Sequence, residues 1–188
     1  MRKTIGWLIV AALPLLGGCA AAIIGGAAAT GVLVAEDRRT VGTVTDDKGI
    51  ELKASSRVGE RVVGAHLNFT SFNKMVLLTG EVPTAAARDD VERITRGIEN
   101  VRGVYNEVQV AGNSAMTSRT NDAYLTSKVK ARFIDGSKFN PVHVKVVTEN
   151  SVVYLMGMVN RAEGEAATEI ARTTGGVQKV VRLLEYID

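Results

Sequence analysis

The residues whose chemistry is easiest to interpret surround the only cysteine, near the start of the chain. Two cations, Arg2 and Lys3, precede an apolar run over residues 5–16, and small residues separate that run from Cys19. This order is typical of a secretory signal peptide. The tetrapeptide Leu16-Gly17-Gly18-Cys19 also follows the bacterial lipobox order of branched apolar, small, glycine and cysteine. We therefore expect lipidation of the Cys19 thiol and removal of residues 1–18 as a lipoprotein signal peptide.

Other interpretations of this segment stay open. Residues 5–35 are almost uninterruptedly apolar, which also suits an uncleaved anchor or a glycine-packed membrane hairpin, and Cys19 could be a buried structural residue. The run before Cys19 has about twelve residues, too few to span a bilayer alone. We expect residues 19–44 to form a lipidated, Ala/Gly-rich tether. In a common bacterial sorting rule, Asp after the cysteine retains a lipoprotein at the inner membrane, so Ala20 indicates the outer membrane, facing the periplasm.

Composition narrows the classes of protein that fit the rest of the chain. Apolar residues make up 46% and charged residues 23% of the sequence, which is typical of a globular protein. Removal of residues 1–18 leaves 21 basic and 20 acidic residues, so bulk charge does not favour nucleic acid as a partner. A single cysteine excludes an internal disulfide and a cysteine-based zinc site.

The remaining sequence contains one unit twice. Residues 76–82 (VLLTGEV) match residues 153–159 (VYLMGMV) at an offset of 77. Two further matches have an offset of 76, which indicates the loss of one residue: Ile94-Thr95-Arg96 with Ile170-Ala171-Arg172, and Val101-x-x-Val104 with Val177-x-x-Val180. Each unit has about 65 residues, enough for a small domain with well-covered apolar faces.

Hydrophobic periodicity predicts the same elements in both units. The second unit begins with a helix over 121–135, for which Thr120, Asn121 or Asp122 is the N-cap. A strand through Val142, Val144 and Val146, a turn at Asn150-Ser151 and a strand over 152–159 follow. The unit ends with a helix through Ala162, Ala166 and Ile170 and a strand over 177–187. For the first unit the elements are a helix near 50–63, strands near 65–72 and 74–82, a helix near 84–99 and a strand near 101–110.

This order predicts an α+β fold of two tandem domains, each α-β-β-α-β. In each domain two helices pack on one face of a small mixed three-stranded sheet. The predicted boundaries are 45–111 and 121–188, with residues 112–120 as a small, polar linker.

The sequence resembles the BON-domain family at this point. The resemblance rests on Gly80 followed by Val82, an Ala/Ile helix and a Val-x-x-Val strand, with further local matches at Arg39-Thr40-Val41-Gly42, Val104-Tyr105-Asn106-Glu107 and Thr148-Glu149-Asn150. Asn106 follows the family pattern after the last strand motif, whereas the second copy has Arg182. Two copies behind a lipobox resemble the dual-BON outer-membrane lipoproteins. The resemblance implies phospholipid binding, support of the outer-membrane permeability barrier and enrichment at the division site.

The helix predicted from residue 121 carries a candidate lipid-binding face. At 100° per residue, Leu125, Val129 and Phe133 line the core side. The opposite side carries four residues that we name the apolar stripe: Tyr124, Ser127, Ala131 and Ile134. Lys128, Lys130 and Arg132 flank it. An outward apolar stripe with cations at its edges suits acyl chains and anionic headgroups, which makes phosphatidylglycerol or cardiolipin the expected partner.

A different interpretation is that Tyr124 and Ile134 cover the other domain and that the helix cations are ordinary solvated residues. The first domain is a weaker candidate, because residues 45–113 carry a net charge of −1 and residues 114–188 a net charge of +2. We therefore expect the second domain to bind lipid and the first to pack against it or to meet a protein.

No other catalytic or cofactor motif stands out. His66 and His143 occupy equivalent positions but lack the further ligands that a metal site needs, so we expect no metal site, no cofactor and no enzymatic activity. Two rivals to lipid binding are a periplasmic scaffold for outer-membrane assembly or peptidoglycan proteins, and a purely structural envelope lipoprotein.

Overall fold

The computed structural model describes residues 36–112 and 114–187. Residues Arg38–Asp188 belong to one compact unit that contains two α+β domains. The elements of the first domain are α1 (Val41–Gly59), β1 (His66–Phe72), β2 (Met75–Val82), α2 (Ala85–Arg96), β3 (Gly103–Asn106) and β4 (Gln109–Val110). Those of the second are α3 (Met116–Gly136), a 3₁₀ turn (Pro141–His143), β5 (Val144–Glu149), β6 (Val152–Val159), α4 (Arg161–Arg172) and β7 (Lys179–Tyr186).

The two sheets share one topology. In the first, β2 is the central strand, antiparallel to β1 and parallel to β3 and β4. In the second, β6 is central, antiparallel to β5 and parallel to β7. Each helix pair covers one face of its sheet and closes a separate apolar core. The predicted fold class, with two helices on a small mixed sheet in each domain, is confirmed.

Several predicted element bounds are wrong. Helix α1 begins at Val41 rather than near residue 50, because Thr40 caps it by accepting a hydrogen bond from the backbone N–H of Thr43. Helix α3 begins at Met116, within the segment predicted as linker, and its N-cap is Ala115. Val142 lies in the 3₁₀ turn rather than in a strand, since Asn140 accepts a hydrogen bond from its N–H.

A buried aspartate at the same place in each domain fixes the first β-hairpin. Asp47 of α1 accepts hydrogen bonds from the backbone N–H groups of Asn73-Lys74 at 2.9 and 2.7 Å. Asp122 of α3 does the same for Asn150-Ser151 at 2.9 and 2.8 Å. All four turn residues have positive φ angles, as a two-residue hairpin turn requires. The predicted turn at Asn150-Ser151 is confirmed, whereas Asp122 stabilises that turn instead of capping its own helix.

A glycine in each central strand explains another part of the repeat. Gly80 has φ of 109°, and a Cβ there would overlap the carbonyl oxygen of His66 on β1. A Cβ at Gly157 would likewise overlap the carbonyl oxygen of His143 and come within 3.3 Å of Val144 Cα. The neighbouring backbone approaches both central strands too closely for a side chain.

The central strands are buried on both faces. In β2, Val76 and Leu78 face the helices of their own domain, while Leu77 joins a third apolar cluster with Tyr154 and Met156 of β6. Phe72 completes the buried members of this cluster, which also includes partly buried residues from both sheets. The two sheets therefore pack against each other through the faces that their helices leave open, and this contact unites the domains.

Polar pairs surround this apolar contact. Lys145 donates to Glu51 at 2.8 Å, and Asn150 donates to Glu81 at 2.9 Å. A third set of contacts centres on the Glu185 carboxylate, which accepts hydrogen bonds from Asn73 at 3.0 Å and from Arg102 at 3.2 Å. Each pair joins one domain to the other, so the pairs fix how the two sheets are aligned.

The close approach at Gly157 generates a stability prediction. We expect Gly157→Ala to lower the free energy of unfolding by about 1–3 kcal/mol or more, because the new methyl must displace the β5 backbone. Urea-induced unfolding of the full chain in nonionic detergent measures the change. Gly49→Ala is the matched control: apart from the adjoining backbone of α1 itself, nothing lies within 4 Å of its Cβ position, and alanine favours helix by about 1 kcal/mol. Equal stability of Gly157→Ala and its parent would contradict this account.

Candidate functional site

The apolar stripe lies on the outer surface of α3. Tyr124 is 63% exposed and Ile134 is 65% exposed, and Ser127 and Ala131 between them are also exposed. No residue of 36–112 or 114–187 covers them. The interpretation that Tyr124 and Ile134 pack beneath the first domain is therefore wrong for the described part of the chain. The opposite side of α3 is buried as predicted, through Leu125, Val129 and Phe133.

The outer face of α3 is longer than the sequence indicated. Because α3 begins at Met116, an additional turn and a half of helix precedes the predicted start. Met116, which is 72% exposed, falls on the same side as Ile134 at 100° per residue. The exposed face thus runs about 27 Å along the helix axis, from Met116 to Ile134, at 1.5 Å per residue. The absence of a capping side chain before Met116 hid this extension.

The three flanking cations differ in their contacts. Lys130 is exposed and forms no ion pair with any described residue. Lys128 donates one hydrogen bond to the carbonyl of Gly175 at 3.0 Å and lies 5.9 Å from the ring centre of Tyr124. A lysine has three N–H donors, so Lys128 retains two for another partner.

Arg132 has a structural role that sequence analysis missed. Its guanidinium donates to the carbonyl of Ile170 at 2.8 Å and to the hydroxyls of Thr174 and Thr173 at 2.7 and 3.1 Å. These groups lie at the end of α4, where a cation satisfies the last carbonyls and the helix dipole. All of these acceptors are neutral, so the positive charge of Arg132 still contributes to the potential beside the apolar stripe.

One acidic residue reduces this positive potential. Asp135 is exposed on the same part of α3, one residue after Ile134. Lys128, Lys130 and Arg132 outnumber it, and the face remains net positive.

The corresponding helix of the first domain differs in its electrostatics. Leu52 of α1 is 73% exposed, but the nearby cations are paired with acids: Lys48 with Glu51 at 2.7 Å and Lys53 with Glu99 at 3.6 Å. Burial by itself raises the pKa of Glu51, and hydrogen bonds from Lys145, Lys48 and the Ser71 N–H outweigh it, so this pKa lies below the usual value. Within one helical turn of Leu52, the described residues therefore include no cation that lacks an ion pair, although Arg57 further along α1 is exposed and has none.

A second cluster of chemistry-bearing side chains lies at the boundary between the domains. Ligating atoms of His66, Glu81 and Glu149 all lie within 4.8 Å of one another, and His66 Nδ1 is 3.3 Å from Glu81 Oε2. His66 and Glu149 line a cavity of about 480 Å³ between β1, α3 and β5. The expectation that His66 lacks neighbouring ligands is wrong, because β2 and β5 bring two carboxylates to it that are far away in sequence.

Burial, hydrogen bonds and nearby charges shift the pKa values of Glu81 and Tyr154 in this region. Burial by itself raises the pKa of Glu81, but hydrogen bonds from Asn150, Ser114 and His66 outweigh it, and the pKa lies below its usual value. Glu81 is therefore ionised at neutral pH. Burial, together with the charges of Glu107 and Glu149, raises the pKa of Tyr154 to about 12.

None of the helices within residues 36–112 and 114–187 combines the length and the hydropathy that a bilayer-spanning helix needs. Residues 1–35 lie outside the described residues. They include the predicted signal peptide over 1–18, Cys19 and the first part of the predicted tether over 19–44.

Comparison with known proteins places the chain in a family. Residues 46–112 and 121–188 each match the BON domain. Outer membrane lipoprotein DolP of Haemophilus influenzae is 36% identical over 185 residues, covering 96% of this chain and 95% of that protein. The 21 kDa hemolysin of Actinobacillus pleuropneumoniae is 31% identical over 154 residues, covering 80% and 79%. Osmotically-inducible protein Y of Escherichia coli is 28% identical over 145 residues, covering 74% and 72%. The chain therefore belongs to the BON-domain family as a two-domain, DolP-like protein.

Proposed function

We propose that this protein is a lipoprotein of the outer membrane that faces the periplasm, and that α3 of its second BON domain binds anionic phospholipid. The observation that carries the lipid-binding proposal is the exposure of Tyr124 and Ile134 beside Lys128, Lys130 and Arg132. The lipobox at Cys19 and the likeness to an outer membrane lipoprotein support the location. We propose a binding role rather than a catalytic one, acting in maintenance of the outer membrane, including at the division site.

The geometry of the apolar stripe favours a helix that lies flat on the membrane. Tyr124 and Ile134 are separated by about 15 Å along the axis of α3, so both reach an acyl boundary only when the helix is parallel to the surface. The Ser127 hydroxyl between them donates to the carbonyl of Ala123 at 3.0 Å, which satisfies that hydroxyl within the helix. The lysine stems can lie along the apolar surface while their ammonium groups reach phosphate.

The expected strength of this contact is modest. Each cation near an anionic surface contributes about 1 kcal/mol, and Asp135 offsets one of the three. Such binding is weak and reversible by itself. The lipid anchor at Cys19 makes it effective, because a tether raises the local concentration of α3 at the membrane.

A single tryptophan can report the insertion of α3. The only tryptophan in the sequence is Trp7, so the full chain carrying Trp7→Phe and Tyr124→Trp has one tryptophan, on the apolar stripe, which can be excited selectively. We expect its emission to shift to shorter wavelength in phosphatidylglycerol vesicles, with quenching by brominated acyl chains, and to shift much less in phosphatidylcholine vesicles. Leu52→Trp in the Trp7→Phe background is the matched control on α1, and it should respond to neither lipid. Equal shifts in the two lipids, or at the two positions, would overturn the proposal.

Substitutions of Lys130 and Arg132 distinguish an effect on lipid binding from an effect on folding stability. We expect Lys130→Met to weaken the phosphatidylglycerol response of the Tyr124→Trp reporter without changing the urea midpoint, since Lys130 forms no ion pair within the described residues. Arg132→Met should lower the free energy of unfolding by about 1.5–3 kcal/mol, the contribution of hydrogen bonds to a charged group. Fluorescence titration and urea unfolding measure the two effects. An unchanged urea midpoint for Arg132→Met would contradict its role at the end of α4.

Anchoring is tested separately through the lipobox. We expect Cys19→Ser to prevent incorporation of labelled palmitate and to leave the precursor uncleaved, because the acylated atom is the thiol sulphur. Ala20→Asp should retain lipidation but shift the protein from outer to inner membrane fractions. Normal palmitate labelling of Cys19→Ser would rule out lipidation at this residue.

A further inference from the structure

Two carboxylates at the domain boundary are almost completely buried, and among the described residues only a histidine lies within ion-pair distance of either of them. Glu81 is 2% exposed and Glu149 is 7% exposed. Within residues 36–112 and 114–187, no lysine or arginine nitrogen forms an ion pair with either of them. Of the two other buried acids in this unit, Asp47 has Arg39 at 2.9 Å. Asp122 has no lysine or arginine partner among the described residues and instead accepts hydrogen bonds from the backbone N–H groups of Asn150 and Ser151. The ligating oxygens of these two buried carboxylates lie within 4.8 Å of each other, where like charges repel, and a cation between them would remove that repulsion.

The repeat shows that the fold does not require these two acids. Strand registers align His66 with His143, Glu81 with Met158, and Phe72 with Glu149. Each acid therefore corresponds to an apolar residue in the other domain, whereas the histidine occurs in both. The acids are a specific feature of this boundary, and they meet at the one histidine that can reach both of them.

The geometry of the three side chains suits a metal ion. An equilateral triangle with sides of 4.8 Å, the upper limit of the separations, has its centre about 2.8 Å from each corner. Zinc ligands lie at about 2.0–2.2 Å, so small side-chain rotations close the site. Other groups orient the carboxylates, as outer ligands commonly do: Asn68 donates to Glu149 at 2.9 Å, and Asn150 and the Ser114 N–H donate to Glu81 at 2.9 and 3.2 Å.

We propose that His66, Glu81 and Glu149 form a Zn²⁺ site that joins the two BON domains. One imidazole with two carboxylates is a ligand set that zinc accepts, while Ca²⁺ and Mg²⁺ prefer oxygen ligands alone. His66 and Glu81 come from the first domain and Glu149 from the second, so the ion holds the boundary together. His66 and Glu149 also line a cavity of about 480 Å³, which has room for a water molecule as a fourth ligand.

Calorimetric titration of the full chain with ZnCl₂ tests the site directly. The chain carries Cys19→Ser, which removes the only thiol as a competing ligand, and it is treated with chelator and purified in nonionic detergent. We expect one Zn²⁺ per chain and no comparable binding of Mg²⁺. Glu149→Gln and His66→Asn should each weaken zinc binding by at least about tenfold, since even outer ligands contribute that much.

His143→Asn is the matched control, because His143 occupies the equivalent position in the second domain, lies 3.7 Å from Glu163 and does not belong to the group of three ligands. It should bind zinc as the parent does. Circular dichroism verifies that each variant is folded, and thermal unfolding gives a second measurement: zinc should raise the midpoint of the parent and of His143→Asn, but not that of Glu149→Gln. Absence of zinc binding by the parent, equal loss in His143→Asn, or full binding by Glu149→Gln would overturn the proposal.

Discussion

The packing of the two sheets against each other is the contact on which the arrangement of this protein depends. Each domain uses one sheet face for its own helices, and the opposite face would remain apolar and exposed in isolation. Leu77, Tyr154 and Met156 bury that face between the domains. Burial of such side chains contributes about 1.5–3 kcal/mol each, so the contact is large relative to the marginal stability of a small domain. The two domains therefore form one folded unit rather than two independent domains joined by a linker.

This packing also determines which surfaces remain available. Since the sheets face each other, all four described helices lie on the outside, and α3 has its core side on β5 and its other side in solvent. Tyr124 and Ile134 owe their exposure to this arrangement. The same arrangement places α1 on the outside as well, but Lys48 and Glu51 neutralise each other there. Helices α1 and α3 therefore differ in the net charge around their exposed apolar residues, rather than in the exposure of those residues.

Polar groups at the domain boundary provide specificity that an apolar face alone would lack. Two apolar sheet faces could pack in several alignments, whereas the hydrogen bonds of Asn150 to Glu81 and of Lys145 to Glu51 form in one alignment only. Buried polar groups of this kind commonly specify one arrangement at some cost in stability. The boundary thus combines an apolar centre, which supplies free energy, with polar edges, which select the register. The acids at His66 belong to these edges.

Periodicity and the repeat were sufficient to predict the order of helices and strands, the α+β class and the core side of α3, because these depend on neighbours within a few residues or on a pattern present twice. Helix bounds were less accurate where no capping side chain marked them, as at Met116, or where one was overlooked, as at Thr40. The nearly continuous apolar runs of β2 and β6 did carry a signal that both faces are covered, although the sequence could not name the partner.

Contacts between residues far apart in the chain were beyond sequence reasoning. Arg132 appeared to be one of three equivalent cations, yet the end of α4, about forty residues later, engages its guanidinium; no local pattern encodes that distance. His66 appeared isolated because Glu81 reaches it through strand pairing and Glu149 through packing of the second domain. Local sequence thus sets the elements and their apolar sides through backbone geometry. Which charges meet is decided by the packing of the two sheets, because that packing brings together side chains with no short-range relation.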